Sequence, residues 1–309
     1  MFMSRYIGRF APSPTGLLHI GSLIAALASY LHARASQGQW LVRMEDLDPP
    51  REMPGAASAI LQSLEDHGLT WDGEVLWQSQ RHDAYRQVIN DLLLANKAFY
   101  CTCSRSDLQG SNGVYQGQCR GCVTPPRDHD FALRLQVEDK AVAFDDEIQG
   151  RFSQQLEREV GDVVLQRKDG FFAYQLAVVV DDAYQGVSHV VRGSDLLDST
   201  PRQIYLQQVM AYTTPDYLHF PVITNEQGDK LSKQTFAAPL DSREACKNLC
   251  VALAFLKQAL PPEELCQQVN HIVAWAVEHW SVDDIPGVLG LPQSVIPAKA
   301  GIQCCQFPL

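Results

Sequence analysis

The run Arg9-Phe10-Ala11-Pro12-Ser13-Pro14-Thr15-Gly16-Leu17-Leu18-His19-Ile20-Gly21-Ser22 limits the fold of this chain more than any other stretch. A short apolar segment, Tyr6-Ile7-Gly8, precedes it, and an Ala/Leu-rich run of helical composition, Leu23 to Ala35, follows. The order is strand, tight Pro/Gly-rich turn, helix. There the helix amino end presents backbone N–H groups and the positive end of its dipole, a combination that attracts phosphate. His19 can donate a hydrogen bond to a phosphate oxygen, and Gly21 admits a ligand close to the backbone. A surface loop capping an ordinary helix would read the same way, because one Gly/Pro-rich loop is a weak signal.

The next segments repeat the alternation of strand and helix. Gln39 to Met44 reads as a buried strand ending in a charged loop, Glu45-Asp46-Leu47-Asp48-Pro49-Pro50-Arg51. Open α/β sheets place ligand contacts just past the carboxyl ends of their strands, although a solvated turn has the same composition. Ala56–His67 and Arg81–Ala98 carry apolar residues at helical spacing. His189-Val190-Val191-Arg192-Gly193 reads as a further strand, followed by a helix from Pro201 to Ala211 with Ser199 or Thr200 as its cap. A parallel sheet wrapped by helices accounts for this pattern. Between these parts, Phe131 to about Val164 alternates as short strands do and marks a mixed α+β insertion that runs on to Asp182.

Length and composition set outer limits. The 309 residues suggest two domains with a small appendage, and 46% hydrophobic residues suit a globular core. No apolar run approaches the roughly 20 residues that span a bilayer, and Met1 to Arg9 lack a signal-peptide core. The expected location is cytoplasmic, without a membrane. A net charge of −11 lends no compositional support to nucleic-acid binding, though a local basic patch can still provide it.

Four of the nine cysteines fall within one short segment: Cys101, Cys103, Cys119 and Cys122. Two thiols, a loop and two more thiols form a metal-clip pattern that favours zinc over a set of free structural cysteines. Spacing alone nominates all four. Farther on, Gly228-Asp229-Lys230-Leu231-Ser232-Lys233-Gln234 places two lysines around a serine. Such a loop can clamp a polyphosphate or be a plain solvated turn.

Taken together, the two loops resemble a known pair. Pro12–Ser22 resembles the HIGH signature of class I aminoacyl-tRNA synthetases, and Lys230–Gln234 resembles their KMSKS loop. The wording Arg-Phe-Ala-Pro-Ser-Pro-Thr-Gly is similar to glutamyl-tRNA synthetases, as are Arg43-Met44-Glu45-Asp46, Asp181-Asp182 and Val191-Arg192-Gly193. The likeness covers roughly residues 5–240. Two departures are small: Ser22 ends the first signature and Gln234 the second. The larger one lies at the carboxyl end. From Asp241 on there are 4 Lys+Arg against 7 Asp+Glu, with no sign of the long helical anticodon-binding region of a glutamyl-tRNA synthetase. That combination, with Cys-x-Cys and Tyr-x3-Cys, resembles the glutamyl-queuosine tRNA(Asp) synthetases.

The resemblance implies a Rossmann-type class I catalytic domain (α/β) with an inserted zinc-containing α+β subdomain and a short helical cap. Its expected divisions are 1–98 and 186–240 for the two catalytic halves, 99–185 for the insertion, 241–290 for the cap and 291–309 for a disordered tail. It implies a ligase that activates L-glutamate with ATP and Mg2+, without tRNA. The glutamate then goes to the queuosine base in the anticodon of tRNA(Asp). The implied catalytic residues are His19, Gly21 and Lys233, with ATP held by His19, Gly21, Lys230, Ser232 and Lys233. The implied glutamate pocket is Arg9, Phe10, Ala11, Pro12, Ser13, Glu45, Tyr174 and Arg192. Two arginines and a carboxylate match the two carboxylates and one ammonium of glutamate, and arginine makes bidentate bonds that a glutamine amide cannot reproduce. Tyr174 also reads as an ordinary core aromatic. The implied ligands of one structural zinc ion are Cys101, Cys103, Tyr115 and Cys119. Here the resemblance and the spacing disagree, and Cys122 stays as the alternative to Tyr115. A monomer is the default. The competing readings are an ordinary glutamyl-tRNA synthetase acting on tRNA(Glu), a non-catalytic synthetase-like tRNA-binding module, and an adenylate-forming nucleotidyltransferase with another acceptor.

Overall fold

Strands rich in branched and aromatic residues, separated by Ala/Leu-rich helices, build a parallel sheet in this chain. The computed structural model describes residues 6–225 and 238–295, apart from 105, 112, 113 and 128. The elements run β1 (Ile7–Phe10), α1 (Ile20–Ala35), β2 (Gln39–Met44), α2 (Ala56–Asp66), β3 (Leu76–Trp77), α3 (His82–Leu94) and β4 (Ala98–Cys101). They continue with β5 (Ala132–Leu135), β6 (Ala141–Asp146), β7 (Gly150–Gln155), α4 (Leu156–Glu159), β8 (Val163–Gln166), α5 (Tyr174–Tyr184) and β9 (His189–Gly193). The last are α6 (Thr200–Val209), β10 (Asp216–Phe220), β11 (Val222–Thr224), α7 (Ala245–Phe255), α8 (Val269–Glu278) and β12 (Gly290–Pro292).

β1, β2 and β3 form one parallel ladder, with Arg9 opposite Leu41. β9 and β10 form another, with Arg192 opposite His219. The two ladders meet where the Ser188 amide donates to the Ile7 carbonyl (2.9 Å) and the Ile7 amide donates to Ser188 Oγ (2.9 Å). Strand order therefore reads outward from β1 to β2 and β3 on one side and from β9 to β10 on the other. The chain reverses direction of growth between β1 and β9, and open α/β sheets leave a crevice at the carboxyl ends of such a pair.

The stretch 99–185 contributes to two places. Its β4, β5 and β8 form a separate antiparallel sheet, while the β6–β7 hairpin extends the β9–β10 ladder beyond β10. α5 packs beside α3 and α6 and carries two buried carboxylates, Asp181 and Asp182, towards the first ladder.

α1 is buried along most of its surface, with Leu23, Ile24, Leu27 and Leu31 almost wholly removed from water. A helix apolar on most sides must be covered on most sides. The sheet covers one side, and α7 and α8 cover the other through Leu249, Leu253, Phe255 and Ile272, all in the same core cluster as α1.

Two local expectations need correction. Neither Ser199 nor Thr200 caps α6 with its side chain. Ser199 Oγ accepts instead from Gln175 Nε2 (3.2 Å), and Thr200 Oγ1 accepts from Arg192 (2.8 Å), because tertiary partners compete with the local amides. Residues 291–295, assigned to a disordered tail, start inside β12, which pairs in parallel with β11 through Ile223 and Leu291. Positions 296–309 lie outside the described residues. Among the described residues no helix is long and apolar enough to cross a membrane.

Candidate active site

A cavity of about 870 Å³ opens at the carboxyl ends of β1 and β9. α1 enters it amino end first. His19 caps that helix: its Nδ1 accepts from the Gly21 amide (3.1 Å), while the His19 amide donates to Ser22 Oγ (3.5 Å). An acceptor role at Nδ1 puts the ring proton of neutral His19 on Nε2. A Cβ at position 21 would lie 3.1 Å from the imidazole, a tight contact that the ring would have to shift by a few tenths of an ångström to relieve.

The floor is built from charged groups buried in pairs. Arg9, at the end of β1, donates to both oxygens of Asp182 (3.1 and 3.3 Å). Arg43, wholly buried in β2, donates to the same carboxylate (2.7 Å), to Gln185 (2.8 Å) and to Glu45 (3.4 Å). Burial would raise the Asp182 carboxyl, yet Arg9 and Arg43 overcome it and hold it below its ordinary range. Glu45 goes the other way: burial raises its carboxyl against the pull of Arg43 and Arg9. A cation arriving beside Glu45 would favour its charged form. The loop Ala11–Pro14 is tied down by the Glu45 amide on the Pro12 carbonyl and the Met53 amide on the Pro14 carbonyl (both 2.9 Å).

Arg192, at the end of β9, closes the opposite wall. It is 5% exposed, and its Nη1 faces Tyr174 Oη at 3.5 Å. Burial pushes the Tyr174 phenol above its usual range. Every residue expected in the glutamate pocket, together with His19 and Gly21, lines this one cavity. Lys230, Ser232 and Lys233 lie outside the described residues.

Some participants carry little sequence signal of their role. Asp182 is 173 positions from Arg9, and His219, which meets Arg192 from β10, stands in an apolar strand like any core histidine. Only an acid pair in an otherwise apolar helix, Asp181-Asp182, hinted at a buried ionic role. Asp181 accepts from Gln78 (2.9 Å), Arg81 (3.1 Å) and the Tyr85 hydroxyl (2.5 Å), locking α5 to α3.

The cysteine segment sits apart from this cavity. The sulfurs of Cys101, Cys103 and Cys119 lie within 4.8 Å of one another, with Cys103 and Cys119 at 3.6 Å. Tetrahedral zinc with sulfur at about 2.3 Å needs sulfurs about 3.8 Å apart, so the trio fits such an ion. The Tyr115 hydroxyl belongs to the same group and accepts from the Cys119 amide (2.7 Å). Cys122 is exposed and lies outside the trio; its carbonyl accepts from the Tyr100 amide (2.8 Å).

Comparisons with known proteins agree with this architecture. The family model described as tRNA synthetases class I (E and Q), catalytic domain, matches residues 7–245. The chain is 51% identical to the glutamyl-Q tRNA(Asp) synthetase of Pseudomonas entomophila (strain L48), over 94% of this chain and 98% of that one. It is 52% identical to the protein of the same name from Pseudomonas aeruginosa (strain LESB58), again over 94% and 98%. Among solved structures, glutamate-tRNA synthetase from Elizabethkingia anophelis shares the fold at a TM-score of 0.78 and 22% identity, over 97% of this chain and 70% of that one. With its sheet, its capped helix and its cavity in place, the chain belongs to the glutamyl-Q tRNA(Asp) synthetases, ligases built on the class I glutamyl- and glutaminyl-type catalytic domain.

Proposed function

We propose that the cavity binds L-glutamate and ATP together, makes glutamyl-adenylate without tRNA, and passes the glutamate to queuosine in the anticodon of tRNA(Asp). The observation that carries the first part is the convergence of Arg9, Glu45, Tyr174 and Arg192 beside the amino end of α1. The α-carboxylate of glutamate attacks the α-phosphate of ATP, and pyrophosphate leaves. No protein nucleophile is needed; positioning and stabilisation of negative charge supply the rate. His19 and the first amides of α1 face the phosphates, the KMSKS-like motif assigns Lys230, Ser232 and Lys233 to ATP as well, and Mg2+ accompanies ATP. Glu45 takes the ammonium, while Arg9 and Arg192 take carboxylates. In the second step a hydroxyl of the modified base attacks the activated carbonyl, an ester forms and AMP leaves. The names of the relatives support this acceptor.

Zinc held by Cys101, Cys103, Tyr115 and Cys119 would tie the segment after β4 together, and its role is structural. The proximity of the three thiols and the Tyr115 hydroxyl supports that ligand set over one with Cys122.

The test is ATP–pyrophosphate exchange with glutamate and no tRNA, followed by transfer of labelled glutamate to tRNA(Asp) with and without queuosine. Exchange without tRNA and transfer only to the queuosine form are expected. Transfer to unmodified tRNA(Glu) would instead mark an ordinary glutamyl-tRNA synthetase. In the same assay Arg192→Ala should abolish glutamate activation while ATP binding survives.

A further inference from the structure

Arg9 and Arg192, the two buried arginines that line the cavity, are held in opposite ways. Arg9 is paired with a carboxylate, and Asp182 and Glu45 together formally balance Arg9 and Arg43. Among the described residues the hydrogen-bond partners of Arg192 are all uncharged. Its Nε donates to His219 Nε2 (3.0 Å), its Nη2 donates to Thr200 Oγ1 (2.8 Å) and the Leu196 carbonyl (3.5 Å), and its Nη1 faces Tyr174.

His219 can accept from Arg192 only as a neutral ring with its proton on Nδ1. Asp146 imposes that tautomer. Its Oδ2 accepts from His219 Nδ1 (2.5 Å), and its Oδ1 accepts from the amides of Ile148 (3.1 Å), Gln149 (2.9 Å) and His219 (3.1 Å). Four donors keep the carboxylate ionised, and an ionised carboxylate can only accept. The pair is wholly buried, so no water replaces either partner. Asp146 comes from the β6–β7 hairpin, His219 from β10 and Arg192 from β9, which makes a transverse chain across three neighbouring strands.

We propose that Asp146 and His219 are positioning residues that give the site its preference for glutamate. They fix the Arg192 guanidinium through a neutral acceptor, which spends its Nε donor on orientation and leaves its positive charge for the side-chain carboxylate of the amino acid. A carboxylate in the place of His219 would neutralise Arg192 and reduce its preference for an anion over an amide. The inference rests on the reading of Arg192 as a glutamate ligand.

Substitutions at the pair separate positioning from packing. In Asp146→Asn, Oδ1 still serves the three backbone amides, and the new NH2 faces His219 Nδ1. The ring must then carry its proton on Nε2, against the Nε–H of Arg192. In His219→Asn the amide reaches the Asp146 side but not Arg192, whereas His219→Gln presents an acceptor at the position of Nε2. Glutamate-dependent ATP–pyrophosphate exchange is measured for the full chain, with KM for glutamate and for ATP, the glutamate-to-glutamine ratio of kcat/KM, and the melting temperature. Loss of one charged buried hydrogen bond should raise KM for glutamate about 10- to 100-fold in Asp146→Asn and His219→Asn, with KM for ATP unchanged and the glutamate preference reduced. His219→Gln should restore most of both. Equal KM values for His219→Gln and His219→Asn, or unchanged KM values in all three variants, would overturn the positioning role. Arg192→Ala run in parallel distinguishes the underlying reading: if it leaves KM for glutamate unaltered, the assignment of the cavity fails and the positioning role fails with it.

Discussion

Asp182 holds two arginines from two strands on one carboxylate, and its worth lies in what its removal would leave behind. Arg43 has no exposure at all, so deleting its partner strands a buried charge. Breaking such a pair from one side costs about 3–5 kcal/mol, far more than a surface ion pair is worth. Asp182→Ala should therefore lower the urea unfolding free energy by about that amount, and Asp182→Asn, which can still accept one bond, by less. Both should also raise KM for glutamate, because Arg9 loses its orientation. An unfolding free energy equal to wild type would contradict this account. The pocket residues Arg9, Glu45 and Arg192 were legible because they stand next to recognisable motifs at strand ends. Asp182 was legible only as half of an acid pair, without its partners, and Asp146 and His219 were not legible at all, since a buried ion pair or a tautomer is defined by a partner more than 70 positions away.

At the level of elements, the alternation of apolar strands and helices was readable, and the bounds of β2 and α2 follow it closely. The destination of each element was not. α7 and α8 read as a cap, yet they belong to the core of α1, because that helix is apolar on the side facing away from the sheet. Leu253 has no exposure, and Leu253→Ala should cost about 2–5 kcal/mol in denaturant unfolding. The cysteine segment depends on one glycine. Gly161 has φ 75° and bridges to Tyr115, and a Cβ there would run into the Tyr115 backbone. Gly161→Ala should displace Tyr115 and, on the proposed ligand set, lower the zinc content of purified protein, while glutamate-dependent exchange persists. Full zinc content in that variant would argue that Tyr115 is not a ligand.

For the molecule as a whole, the joint between the two ladders and the carboxyl-terminal helices is a cluster of rings. Tyr6 stacks on His189 (4.0 Å between centroids), and His32 stands edge-on to Tyr6 (5.4 Å). Trp280 donates its indole N–H to His32 Nδ1 (3.1 Å), and His32 Nε2 faces Glu147 at 3.8 Å. Burial, with nearby His189, lowers His32 from its ordinary 6.5 to about 4. The unfolded chain then binds more protons than the native one in this window, so His32 contributes stability above pH 6.5 that is lost progressively as pH falls towards 4. Burial lowers His189 too and adds in the same direction, whereas the raised carboxyl of Glu147 opposes it. The melting temperature should fall over that range, and His32→Gln should flatten the slope; an unchanged slope would remove His32 from the joint's pH response. The sequence alone determined the strand–turn–helix at Arg9–Ser22, the alternation of strands and helices, and the pocket side chains, because periodicity, Gly/Pro placement and local motifs are encoded over a few residues. Only the tertiary structure decided that β1 and β9 are neighbours, that a hairpin from the inserted stretch reaches Arg192 through Asp146 and His219, and that Cys122 is exposed and stands apart from the three gathered thiols. Those outcomes depend on how far-separated elements bury their surfaces against each other, and no short-range pattern records which partner wins.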